Sequence, residues 1–353
     1  MIAKPRATTA VGPALAGATD EARVAGAARR AAWRLLLSSA LFALMAAGAK
    51  RATHRLPGAE VALVRFGAGI VATAVAVVAG RAVLRPRRWG WLLSRGLFGG
   101  ASVVLYFASI QRVPVGVATL LNQTQPVFTM LCSWLLLREV PRRHALAALA
   151  FTLAGVSVIV GMRHLTFHGS LGEVLGVLSA IGSGIAVTSI RAARRERDDG
   201  VPPETTWSVF FSFTFLGALV TLPNVLSPFG AWVPPSPGEW ALLAGVAGTS
   251  VGAQLIMTQA LRHLTGVQSG IIAQLTVPMA VALGIVFLGE TLTPTFLFGA
   301  ALTLSGVMLT ILSAPARRVE TAPTNGRASA PTNGRADAPT NGRASAPDSD
   351  PRV

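Results

Sequence analysis

Charge is scarce in this chain: Asp, Glu, Lys and Arg make up 13% of its 353 residues, about half the share of a soluble domain. So few charges cannot build the polar surface of a globular protein of this size, which makes lipid the solvent for most of it. Acids are scarcer still, 15 against 31 Lys and Arg. No Asp falls inside any long apolar run, so no carboxylate relay for proton coupling is visible at membrane depth. A single cysteine, Cys132, excludes an intrachain disulfide and a cysteine metal cluster. Aromatic residues are 7% of the chain and are not interleaved with its basic clusters. The formal charge of +16 therefore does not read as a nucleic-acid surface. Its basic residues lie in short clusters between apolar runs or in the two tails, as the positive-inside rule expects.

What is abundant is hydrophobic sequence, 52% of the residues. Runs of membrane-spanning length, roughly 17 to 25 residues, number ten: 33–49, 59–80, 89–110, 114–137, 143–162, 169–190, 205–225, 238–261, 266–288 and 293–313. Each is expected to be helical, because hydrocarbon offers no partner for an open backbone amide. With the N-terminus inside, the short interior loops hold twelve Lys and Arg and the exterior loops five. Ten spans also put both termini on one side. The expected location is the cytoplasmic (inner) membrane, with both termini cytoplasmic.

The chain repeats itself. A shift of 151 positions superposes Gln123 on Gln274, Leu137 on Leu288 and Glu139 on Glu290, and then a T-L-x-G-V signature at Thr152 on Thr303. Pro126 and Pro278 fall one residue out of register. A period this long means a duplicated half-protein rather than a solenoid. Each half holds five spans, an odd number, so the second half crosses the membrane in the opposite sense. Inverted repeats are a transporter architecture with the substrate site near the midplane. The fold class expected is an all-α integral membrane protein of ten transmembrane helices in two inverted five-helix repeats, 33–162 and 169–313. A basic arm, 1–32, and a tail, 314–353, flank them. Both are expected to be disordered, the tail because its A-P-T-N-G-R-A unit, repeated from Ala322, cannot bury apolar surface.

These features resemble the EamA-type members of the drug/metabolite transporter superfamily. The residues that carry the resemblance are Lys50 at the end of the first span and A-E-V-A-L-V-R-F at Ala59 to Phe66. Pro126 to Glu139 closing the fourth span and Pro278 to Glu290 closing the ninth complete it. The resemblance implies transport of small organic solutes through a central cavity. Two departures stand out: Arg138 where the family often has Gly before the acid, and Ile256 and Met257 where relatives often place aromatics.

Arg65 lies a little over one turn inside its span, where a charge is costly and usually functional or paired; the alternative is an interfacial anchor paired with Glu60. Lys50 is a weaker candidate for the cavity. Gln123 and Gln274, equivalent by the repeat, are expected to face one cavity, with Asn122, Gln254 and Tyr106 on or beside its wall and Thr276 among the solute-binding candidates; Gln125 lies nearby in sequence. The competing reading is that the amides tie helices together. Pro126 and Pro278 read as structural, and Glu139 and Glu290 as caps of the helices that follow them. Gly248-Thr249-Ser250-Val251-Gly252 imitates a serine-hydrolase elbow but lies inside a span, where small residues serve packing. His164 and His168 have helical spacing without a third ligand, so no metal and no cofactor are expected. The function expected is a secondary transporter, an exporter of a small metabolite or xenobiotic, polar or zwitterionic given the basic and amide candidates. Its partners are that solute and the bilayer, not nucleic acid. The alternatives from other classes are an intramembrane serine enzyme and a non-transporting membrane subunit.

Overall fold

The computed structural model describes residues 13–110, 112–113, 118, 121–160, 169–197, 199–226, 232–288 and 293–312. The regular elements there are helices: α1 (Pro13–Ala52), α2 (Gly58–Val78), α3 (Trp89–Ile110), α4 (Gln125–Leu137), α5 (Arg143–Val160), α6 (Leu171–Arg194), α7 (Thr206–Leu226), α8 (Pro237–Ala260), α9 (Gly266–Ala273), α10 (Thr276–Leu288) and α11 (Pro294–Leu312). Eight helical stretches are long and apolar enough to cross a membrane, and two shorter apolar ones, α4 and α5, complete ten. The fold is the expected all-α membrane protein of two inverted five-helix halves.

Two expectations need correction. The stretch 13–32 is not a disordered arm but the first turns of α1. Its run of Ala and Arg, both strong helix formers, has no apolar stripe but propagates readily from the span that follows. Ala31 and Ala32 are buried beside Leu264 and Val267. Residues 1–12 and the tail lie outside the described residues.

The second correction concerns the fourth and ninth spans, which are not continuous. Residues 121–122 are helical, Gln123 and Thr124 form a turn, and α4 starts at Gln125. In the second half α9 stops at Ala273, Gln274 and Leu275 form the turn, and α10 starts at Thr276. Bonds to the third residue back replace the α-helical pattern at both breaks: Thr124 to Leu121 and Val127 to Thr124, then Gln274 to Ile271 and Val277 to Gln274. Proline explains why the breaks sit there. Pro126 and Pro278 lack an N–H, and each lies in a first helical turn, where none is required.

The halves interlock. Extensive packing joins α3 to α6 and, exchanging halves, α8 to α1; likewise α3 to α7 and α8 to α2, and α4 to α6 and α10 to α1. Helices α2 with α7, and α5 with α11, pair across the pseudo-twofold axis. The repeated T-L-x-G-V signature is the α5–α11 crossing. A side chain at Gly155 would meet the Thr303 hydroxyl and the Gly299 carbonyl, and one at Gly306 would meet Thr152 and the Ala148 carbonyl, all well inside contact distance. Thr152, Val156, Thr303 and Val307 are fully buried beside them. Small residues let the two backbones touch, which is where dispersion gains most in lipid.

The two ends of the bundle are laced differently. At one end Arg55, between α1 and α2, pairs with Glu239 in the first turn of α8 and donates to the Pro234 carbonyl. Glu60 accepts from the Val233 amide. At the other end Arg191 Nε, on α6, donates to Glu139 Oε1 at 3.0 Å, and its Nη1 donates to the carbonyls of Leu261 and Arg262. Glu139 Oε2 accepts from the Gly266 amide at 3.4 Å. Glu139 is therefore not a cap of α5. It sits at the N-terminus of α9, where the positive helix end favours an acid, and ties α4, α6 and α9 together. Its counterpart Glu290 lies outside the described residues. Glu204, fully buried, accepts the amides of Arg87 and Arg88, and Arg88 in turn donates to the carbonyls of Ala192, Arg195 and Val201.

Candidate functional site: a cavity at the two helix breaks

Where a helix is interrupted inside a membrane, its backbone must find other partners or line a polar space. Both occur here. The breaks meet: Gln274 Nε2 donates to the Gln123 backbone carbonyl at 2.6 Å. That carbonyl is free because the turn gives the Val127 amide to Thr124 instead. The glutamine of one half thus repairs the ladder of the other. Beside this contact lies a cavity of about 260 Å³.

Residues from both halves form its wall. Asn122, Gln123, Gln125 and Pro126 come from the first break, and Gly270, Ala273, Gln274 and Thr276 from the second. Arg65 of α2, Arg95 of α3 and Gln254 of α8 face them, with Phe42, Phe213 and Met257 supplying apolar surface. Most of the predicted constellation is therefore brought together. Gln274 both lines the cavity and ties the halves. Asn122 lines it too and donates to Ser179 Oγ at 2.7 Å.

Arg65 faces the cavity rather than anchoring at the surface. Its Nη1 approaches Met45 Sδ at 3.5 Å, and its Cζ lies 5.1 Å from the Phe66 ring centroid. Glu60, the partner expected for an anchor, is occupied with Val233. Tyr106 is not on the wall; its ring lies against Phe107, with centroids 5.9 Å apart. Lys50 is exposed in the last turn of α1 and does not reach the cavity. The G-x-S-x-G pattern lies wholly within α8, with no strand or turn to present Ser250. His164 and His168 lie outside the described residues.

The residue that sequence reasoning missed is Arg95. It is 5% exposed, its Nη2 donates to Gln254 Oε1 at 3.1 Å, and its Cζ stands 3.8 Å over the Phe213 ring. Its signal was the same as that of Arg65, a lone cation several residues inside an apolar run. Gly99, one turn further along α3, makes room for it, since a Cβ there would lie 2.5 Å from Arg95 Nη1. Phe66 and Phe213 meet edge to face at 5.1 Å, so the two guanidiniums rest on one aromatic pair. Stacking of this kind fixes a guanidinium plane without neutralising it.

This geometry, a polar cavity between two inverted halves, agrees with comparisons to known proteins. The pseudopaline exporter CntI of Pseudomonas aeruginosa is 28% identical over 65% of this chain and 77% of its own length. An uncharacterized transporter of Archaeoglobus fulgidus is 29% identical over 65% of this chain and 78% of its own. Human solute carrier family 35 member G1 is 28% identical over 49% and 48%. A solved crystal structure superposes with a TM-score of 0.64 at 25% identity, covering 83% of this chain and 99% of the other. The model of the EamA-like transporter family matches twice, at residues 29–161 and 170–312, and the chain belongs to that family.

Proposed function

We propose that this protein exports a small organic solute across the cytoplasmic membrane by alternating access around the cavity at the two helix breaks. The observation that carries the reading is the convergence of Gln123 and Gln274, equivalent residues of inverted halves, on one polar space. Inversion places such equivalents at a common depth, so rocking one half against the other exposes the same space to either side. The excess of basic residues in the loops that include Arg87, Arg138 and Arg195 supports a cytoplasmic position for that end, with the Arg55–Glu239 end outside. Arg65, Arg95, Asn122, Gln123, Gln254, Gln274 and Thr276 are the residues assigned to solute contact.

Two measurements test this. In a Cys132→Ala background, a cysteine at Pro234 should react with an impermeant thiol reagent added outside intact cells, and one at Val201 only after permeabilisation. The opposite pattern would refute the orientation and exchange the sides assigned to the two ends. In proteoliposomes, Arg65→Ala should remove most solute exchange with the protein still inserted. Arg65→Lys should rescue only part, because a compact ammonium lacks the planar donor fork. Exchange unaffected by Arg65→Ala would take the cavity out of the pathway.

A further inference from the structure

We propose, resting on the reading of this cavity as the transport site, that its solute is a small organic dianion, a molecule bearing two carboxylate or similar acid groups. Among the described residues on its wall two are basic and none is acidic. The two cations repel one another, and what touches them is neutral: a thioether and a ring for Arg65, an amide oxygen and a ring for Arg95. The Nε of each is buried without a hydrogen-bond partner.

Other arginines of the same chain show what a structural role looks like here. Arg191 meets the Glu139 carboxylate and two helix-terminal carbonyls. Arg88 donates to three carbonyls and reaches Asp199. The Nε of Arg88 is unpaired as well, so the contrast lies in the terminal nitrogens and in the charge. The structural arginines each face several carboxylate or carbonyl oxygens, whereas Arg65 meets a thioether and a ring and Arg95 a single neutral amide oxygen and a ring, so both carry an unneutralised charge into the cavity. Isolated cations at membrane depth persist where something compensates them, and here the remaining candidate is the cargo.

Two further features favour an anion. The half-helices α4 and α10, 13 residues each, begin at the cavity with Gln125 and Thr276 on its wall. Their positive ends therefore point at the occupant. The aromatic pair and Gly99 hold the guanidinium planes in place, which suits the bidentate pairing of arginine with a planar acid group. A monoanion would leave one of the two like charges uncompensated in a low-dielectric space; a dianion neutralises both. The amides of Gln123 and Asn122 then serve the body between the acid groups.

The test uses the full chain purified in detergent, with thermal unfolding read against added glutarate, malate, butyrate, 1,5-diaminopentane and, at equal ionic strength, sodium chloride. Glutarate or malate should raise the midpoint, butyrate less, and the diamine and chloride not at all. Arg65→Gln and Arg95→Gln should each weaken the apparent affinity about tenfold or more, the loss expected for a charge-assisted pair. Arg95→Lys, which keeps the charge, should recover part and controls for a variant that fails to fold. Stabilisation by the diamine, equal stabilisation by chloride (an inorganic anion site only), no response to either diacid, or diacid binding that survives both Gln variants would each overturn the dianion assignment. Labelled glutarate counterflow in proteoliposomes separates this proposal from the transport reading. Binding without counterflow leaves the assignment standing and removes the transport role of the cavity; counterflow of the diamine instead does the reverse.

Discussion

At the scale of single residues, equivalence in the repeat does not mean equivalence in energy. The Gln274 side chain donates to a carbonyl in the opposite half, whereas the Gln123 side chain has no hydrogen bond to a described residue. Gln274→Leu should therefore strand a buried carbonyl and cost about 1 to 3 kcal/mol, seen as a lower unfolding midpoint together with weaker exchange. Gln123→Leu should leave the midpoint nearly unchanged and raise the apparent KM; equal destabilisation by both would refute this division of labour. Arg138 adopts φ 55°, ψ 29° as α4 ends, its amide donating to the Trp134 carbonyl while the amide of Glu139 donates to the Ser133 carbonyl. A left-handed conformation costs a side-chain-bearing residue about 1 kcal/mol or more. Arg138→Gly should accordingly raise stability by about that amount with transport unchanged; a lower midpoint would mean the exposed guanidinium contributes more than the backbone saves. The cavity was legible in the sequence wherever a polar residue had a repeat partner or a match to the family, as for Gln123, Gln274 and Arg65. Arg95 had neither, and Tyr106 was placed by chemistry alone, which says nothing about which side of α3 a residue occupies.

At the scale of elements, hydropathy registers only that a segment is apolar. It located ten spans and was blind to what happens inside them. The breaks at Gln123–Thr124 and Gln274–Leu275 lie within runs that stay apolar on average; the polar cluster Asn122 to Gln125 in the first, and the prolines three and four residues after the two glutamines, were the visible signs of an interrupted ladder. The first turns of α1 were missed for the opposite reason, since alanine and arginine make a helix without making an apolar run. Its contacts near Ala31 and Ala32 come from residues more than 200 positions away, which no local pattern contains. The repeated Thr and Gly of α5 and α11 were visible as a signature, and the structure supplies its cause as close backbone approach at the pseudo-twofold axis. Gly155→Leu should force those helices apart, by the overpacking that typically costs about 1 to 3 kcal/mol. Gly245→Leu, where a Cβ meets nothing within 4 Å, should be tolerated. Thermal unfolding of the two variants side by side decides it, and similar midpoints would mean that α5 and α11 can separate without loss.

At the scale of the whole molecule, each half packs mainly on the other rather than on itself, so the cavity cannot open by one half unfolding away from its partner. It must open at one end while the other stays shut. The two ends differ in how they are held. Arg191, Glu139 and the carbonyls after α8 form a buried clasp over three helices, whereas Arg55 and Glu239 meet at an exposed surface with side chains 51% and 20% exposed. Exposed ion pairs hold little against solvent, and losing one partner of a buried pair is far more costly. The Arg55 end is therefore the one that opens first from this conformation, with α1–α2 and the start of α8 moving apart. Cysteines at Arg55 and Glu239, in a Cys132→Ala background, joined by a reducible bifunctional thiol reagent, should arrest exchange in proteoliposomes, and reduction should restore it. Either cysteine alone, treated in the same way, should leave exchange running. Glu139→Gln should instead loosen the opposite clasp and raise labelling of a cysteine at Asn122 from the side of that clasp. Exchange that continues undiminished with the Arg55–Glu239 link in place would show that the solute does not leave by that end.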